Sequence, residues 1–180
     1  CSIASLLHQS KQNKMKSKTL RDILSLFFFV LVAISAFGQN TPERIHQDIK
    51  KQTAQIFDSL INIRRDLHRY PEISGEEKRT SEKIAEYLIG LGLEVKTNIG
   101  GYGVVGILKG AKPGKKIASR ADIDAMPSKA PDVVDFESRN EGVRHICGHD
   151  VHTAVALGIA NVLSSQKEQL EGTIYFVFQP

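Results

Sequence analysis

Helical apolar stripes that alternate with short apolar strands limit this chain to few folds. Thr41-Pro42 predicts a helix start, because it places a capping hydroxyl directly before a proline at the first helical position. Apolar residues then recur at helical spacing to about Arg69, and Tyr70-Pro71 ends the segment. The run Ser74-Gly-Glu-Glu77 is a capping box that predicts the start of a second helix.

Strand-like segments follow these two helices. They cover residues 94–97, 104–108, 116–120 and 173–178, with one further helix at 153–163 and a loop at 142–150. This order of elements predicts an α/β domain with a mostly parallel sheet.

Eight residues, His145-Ile-Cys-Gly-His-Asp-Val-His152, concentrate three imidazoles, a thiol and a carboxylate. Thiolate and imidazole are ligands that zinc prefers, and the two-residue spacing of Cys147 and His149 can aim both side chains at one ion. A second interpretation is a cysteine nucleophile with a histidine base. The roles of His145 and His152 stay open, and His68 is read first as a structural contact.

Asp122 and Asp124 follow the strand-like segment 116–120 directly. Sites in open α/β sheets gather at the carboxyl ends of strands, so both carboxylates are well placed to support a metal site. The competing interpretation is a turn rich in aspartate.

Charge argues against a nucleic-acid partner. Residues 1–38 contain five Lys or Arg and one Asp, so subtraction from totals of 24 and 20 leaves 19 of each sign in residues 39–180. A neutral body without a basic block lacks the electrostatic footprint of a nucleic-acid-binding protein. Gly101-Tyr-Gly-Val-Val-Gly106 matches GxGxxG, but it precedes a strand and is read as a turn.

The first 38 residues are interpreted as a leader. Residues 1–14 precede the first Met and are expected to be untranslated upstream sequence. Residues 15–38 combine a basic segment, an apolar run at 23–34 and the small residues Ala36 and Gly38, which predicts a signal peptide cleaved after Gly38. The alternative is an uncleaved membrane anchor. The protein is therefore expected to be exported to the periplasm or the extracellular space, with only transient membrane contact.

Four ordered motifs carry a family resemblance: RRDLHRYPEISGEE (64–77), RADIDAMP (120–127), GVRHICGHDVHTA (142–154) and GTIYFVFQP (172–180). They resemble the metal-dependent amidohydrolases and carboxypeptidases that include hippurate hydrolase, aminoacylase-like enzymes and indole-acetyl-amino-acid hydrolases. The resemblance implies a zinc-peptidase-like catalytic domain with two divalent ions (zinc, manganese, cobalt or nickel). It implies Cys147 and His149 as metal ligands, with Asp122 and Asp124 in a supporting catalytic role.

The same resemblance implies a substrate class and a missing remainder. The family hydrolyses small N-acyl amino acids or peptides, and homo-oligomers of the full-length protein are left open. Its pattern continues beyond Gln179-Pro180 with a general-base Glu, further ligands and a lid domain. Residues 39–180 are therefore expected to be an inactive N-terminal part of the catalytic domain, whose last strand, 173–178, has an exposed edge. The alternatives are a truncated, non-catalytic homologue or binding module, and a cysteine hydrolase.

Overall fold

The computed structural model describes residues 42–180. The segments 1–14 and 15–38, which were interpreted as upstream sequence and signal peptide, lie outside the described residues. The chain divides into two compact units, residues 1–48 and 49–180, and residues 42–48 of the first form the start of a helix. None of the helices within 42–180 has the length and apolar character needed to cross a bilayer.

Two helices open the described part of the chain. Helix α1 spans Pro42–Arg69 and helix α2 spans Lys78–Gly90, which confirms both predicted helices. The predicted capping box is wrong, because the helix begins at Lys78, four residues after Ser74, and its N-cap residue Glu77 makes no side-chain capping hydrogen bond. Instead, the carboxylate of Glu72 accepts hydrogen bonds from the backbone N–H groups of Arg79 and Thr80, at 3.0 and 2.7 Å.

The main sheet has four strands in the order β1-β2-β6-β3. Their bounds are Glu94–Ile99 for β1, Gly103–Lys109 for β2, Lys112–Asp122 for β3 and Glu171–Gln179 for β6. Helix α3, His149–Ser165, lies in the connection between β3 and β6. Strands β4 (Met126–Pro127) and β5 (Val143–Arg144) form a separate two-stranded sheet. The structure therefore confirms the α/β class.

The sheet is mixed, which corrects the prediction of a mostly parallel sheet. Strand β2 pairs antiparallel with both β1 and β6, and only β3 with β6 is parallel. The connection from β1 to β2 is too short for a parallel crossover, and Gly100 and Gly101 adopt positive φ angles of 64° and 107° there. The GxGxxG run thus begins in a tight turn at Gly101 and continues as the start of β2 from Gly103. A parallel pair forms only where α3 supplies the crossover.

The open edge of the sheet is not where the sequence predicted it. Strand β6 is hydrogen-bonded on one side to β2 and on the other to β3, so its expected exposed edge is wrong. The edge strand next to β6 is β3, and its Ile117 side chain is 58% exposed. Helices α2 and α3 pack against the sheet around a core whose most buried members are Ile84, Leu88, Val104, Leu157, Ala160, Phe176 and Phe178.

Candidate metal centre

Three side chains from the end of β3 and the start of α3 form a compact group of potential metal ligands. One donor atom from each of Asp122, His149 and His152 lies within 4.8 Å of the others. His149 Nε2 is 3.9 Å from Asp122 Oδ2, and His152 Nδ1 is 3.3 Å from Asp122 Oδ1. A carboxylate with two imidazoles is a donor set that fits zinc and related divalent ions.

The local backbone explains why these residues meet. Asp122 ends β3 beside Gln179, the last residue of the parallel strand β6. The carboxyl edge of these strands faces the first turn of α3, where Thr153 Oγ1 donates to the carbonyl oxygen of Asp122 at 3.1 Å. Gly148 precedes α3 with a φ angle of 78°, a left-handed conformation that favours glycine. The chain can therefore turn sharply before His149.

Asp124 orients the imidazole of His149. His149 Nδ1 lies 2.9 Å from both Oδ1 and the carbonyl oxygen of Asp124. Both oxygens accept hydrogen bonds, so Nδ1–H is the donor, and Nε2 on the side of Asp122 is the ring nitrogen that can bind a metal ion. Carboxylates orient metal-binding histidines in this way in many metalloproteins. The supporting role expected of Asp124 is consistent with this contact.

Asp122 is held in its ionised form. Partial burial opposes ionisation, but hydrogen bonds from its own backbone N–H and from His152 lower the pKa of Asp122. The charges of His149 and Arg120 lower this pKa further. An ionised carboxylate is the form that binds a metal ion, so Asp122 is suited to be a ligand as well as a supporting residue.

The two predicted ligands differ in their surroundings. His149 lies within the group, while the exposed Cys147 directs its thiol to Met126, with 3.1 Å between Sγ and Sδ. Cys147 as a ligand therefore stays a prediction. The predicted loop over residues 142–150 hides the role of His152. Since α3 begins at His149, the spacing of three residues places His149 and His152 on one helix face, where their rings stack with centroids 5.5 Å apart.

The remaining two histidines of the motifs are buried beside the centre. His68 lies 2.8 Å from Asp150 through Nδ1 and 3.4 Å from Asp132 through Nε2, in agreement with the structural contact predicted for it. His145 is 6% exposed, and neither of its ring nitrogens has a hydrogen-bond partner among residues 42–180. Burial, together with the charges of His68 and His149, lowers the pKa of His145 to about 4.

The buried His145 is expected to make the metal-free protein sensitive to acid. Its pKa is about 4 in the fold against an ordinary value of 6.5, so the unfolded chain binds more protons between these values. The free energy of unfolding should therefore fall by up to about 2 kcal/mol between pH 7 and pH 5 through this residue. His145→Phe should lose correspondingly less, as measured by urea unfolding at both pH values. Equal losses in the two proteins would contradict a buried, neutral His145.

Comparison with known proteins shows that the chain is similar to members of one peptidase family. The sequence profile of Peptidase family M20/M25/M40 matches residues 118–180. Thermostable carboxypeptidase 1 of Saccharolobus solfataricus is 44% identical over 135 residues, which cover 74% of this chain and 34% of that protein. The N-acyl-L-amino acid amidohydrolase of Geobacillus stearothermophilus is 37% identical over 133 residues, which cover 74% of this chain and 36% of that protein. The chain thus spans about a third of the length of these relatives.

A solved structure agrees with the sequence comparison. The YXEP protein of Bacillus subtilis, described as a dinuclear metal-binding peptidase of the M20 family, is 40% identical and superposes with a TM-score of 0.65. The match covers 73% of this chain and 36% of that structure. In sequence and in fold, this chain is therefore similar to the N-terminal part of the metal-dependent amidohydrolases and carboxypeptidases of peptidase family M20/M25/M40.

Proposed function

We propose that this chain is the N-terminal part of an exported, metal-dependent hydrolase that cleaves the amide bond of N-acyl amino acids or small peptides. The observation that carries the proposal is the group formed by Asp122, His149 and His152, with Asp124 orienting His149. The relatives named as a carboxypeptidase and an N-acyl-L-amino acid amidohydrolase support the reaction class.

The proposed cofactor is a pair of divalent ions, for which zinc, manganese, cobalt and nickel are the candidates. Asp122, His149 and His152 would hold one ion, and Cys147 is proposed as a further ligand. When bound, such ions polarise the scissile carbonyl and lower the pKa of bound water. Asp124 keeps the proton of His149 on Nδ1, so that Nε2 is available to bind the metal ion.

The two alternatives differ in what supports them. A cysteine hydrolase needs a base beside the thiol, whereas the contact of Cys147 in this structure is the thioether of Met126, which cannot accept the proton. A non-catalytic homologue would keep the fold and lack part of the machinery. Export rests on residues 15–38. The substrate is proposed to be a small molecule, and no oligomeric state is proposed for the full-length protein.

The proposal is tested on the protein encoded by the complete reading frame. The codons beyond Pro180 should encode a Glu pair after one residue, followed by further histidines. The purified protein should hydrolyse N-benzoylglycine or N-acetyl amino acids, lose this activity to a chelator and regain it with added divalent ion. A stop codon or a replaced Glu pair would favour the non-catalytic homologue, and activity that survives chelation but not thiol alkylation would favour the cysteine hydrolase.

A further inference from the structure

A buried network at the end of α1 holds the first turn of α3. Asp150, the second residue of α3, is 0% exposed. Its Oδ2 atom lies 2.8 Å from both Arg64 Nε and His68 Nδ1. A buried carboxylate is costly without partners of opposite charge or hydrogen-bond donors. Arg64 supplies the opposite charge and His68 supplies a hydrogen-bond donor. The two residues lie four apart on one face of α1, so their contacts with Asp150 hold α1 against α3.

The position of Asp150 in α3 connects this network to the metal centre. Asp150 directly follows His149 and precedes His152 by two residues. Successive residues of a helix are rotated by about 100° around its axis, so Asp150 points to α1 while its neighbours point to Asp122. Gly148, the residue before α3, has no side chain that could cap the first turn. Contacts made by residues of α3 itself therefore set the rotation of that turn, and the contact of Asp150 is the one that reaches α1.

The two nitrogens of His68 have separate tasks. Nδ1 meets Asp150 at 2.8 Å, whereas Nε2 meets Asp132 at 3.4 Å in the segment 128–142. This segment has other attachments to the same region, since Asn140 Nδ2 donates to the carbonyl oxygen of Pro71 at 2.7 Å. Arg139 N donates to the carbonyl oxygen of Arg69 at 2.8 Å. The contact through Nδ1 is therefore the one that bears on the metal centre.

We propose that His68 is a positioning residue of the metal centre, which acts through Asp150 to orient His149 and His152 towards Asp122. The inference rests on the proposed function, because it concerns the same group of ligands. The RRDLHRYPE motif contains none of the proposed metal ligands, and this inference gives its His68 a role at the metal centre. His68 acts by holding another residue and is not itself a ligand.

Two substitutions of His68 separate its two nitrogens. The amide nitrogen of Asn occupies nearly the place of Nδ1, so His68→Asn keeps the donor to Asp150. The amide nitrogen of Gln corresponds to Nε2, so His68→Gln keeps only the contact with Asp132. Asp66→Asn is the matched control, because Asp66 joins α1 to α2 through Arg79 and Lys83 at 2.7 and 3.1 Å, outside the metal centre.

Two measurements are made on the 180-residue chain and its variants. The imidazole nitrogen resonances of His149 and His152 are recorded in the metal-free protein, and cobalt affinity is then measured from the visible absorption of the bound ion. His68→Gln should shift these resonances and weaken cobalt binding by about 10-fold, the lower end of the effect of removing a direct partner of a ligand, because His68 acts through Asp150. His68→Asn should retain the resonances and bind cobalt within about threefold of the parent, a limit set well below that effect.

Stability separates positioning from folding. Asp66→Asn should lower the melting temperature while leaving the resonances and the cobalt affinity unchanged. The proposal is overturned if His68→Asn and His68→Gln behave alike, or if cobalt affinity follows melting temperature across all three variants. If the parent chain does not bind cobalt, the metal centre of the proposed function fails, and the resonances alone decide the positioning role of His68.

Discussion

His149→Ala is expected to lower the cobalt affinity of the chain by on the order of 100-fold or more, the largest effect on binding of any single change. His149 is the only residue found both in the ligand pair implied by sequence and in the group formed in the structure. Its Nε2 lies 3.9 Å from Asp122 Oδ2, while its Nδ1 is held by Asp124 at 2.9 Å. Without this imidazole, the group retains one carboxylate and the exposed His152. Cobalt titration of the purified chain measures the loss.

Matched variants identify the rest of the ligand set. His46→Ala removes an exposed imidazole of α1 that lies far along the chain from the motif, and it should leave cobalt affinity unchanged. His152→Ala should weaken binding if the group seen in the structure is the ligand set. Cys147→Ser should weaken binding if the thiol turns from Met126 to the ion. Cobalt affinity that survives His149→Ala would refute the site.

Phe176→Ala is expected to lower the free energy of unfolding by about 3–5 kcal/mol. Phe176 is 0% exposed and lies on β6, the strand between β2 and β3, opposite Gly106 and Ser119. Its removal leaves a cavity at the centre of the core, where rigid strands on both sides limit collapse. Urea unfolding, followed by circular dichroism, measures the change.

A substitution on the open edge serves as the control for Phe176. Ile117→Ala removes an apolar side chain of β3 that is 58% exposed, so its cost should stay within about 0.5 kcal/mol. If Phe176→Ala costs no more than Ile117→Ala, β6 is not an interior strand of the sheet. A loss that is large only for Phe176 would support the strand order.

Local patterns predicted the elements well and their partners poorly. Apolar spacing placed α1 correctly up to Arg69, because helical periodicity is a property of neighbouring residues. The capping box at Ser74–Glu77 looked equally local, yet the cap of α2 comes from Glu72. Glu72 can reach Arg79 and Thr80 only because the intervening loop folds back, which spacing alone does not reveal.

The site shows the same division. The sequence by itself identified Asp122, Asp124, Cys147 and His149 as chemistry-bearing residues, because their types and their place after a strand or before a helix are local features. Only the tertiary structure decided that His152 joins Asp122 and His149, and that Cys147 faces Met126. Only the structure tied Asp150 to His68, which is 82 residues away along the chain. The reason is physical: periodicity and capping depend on near neighbours, whereas a ligand group depends on how separate elements pack.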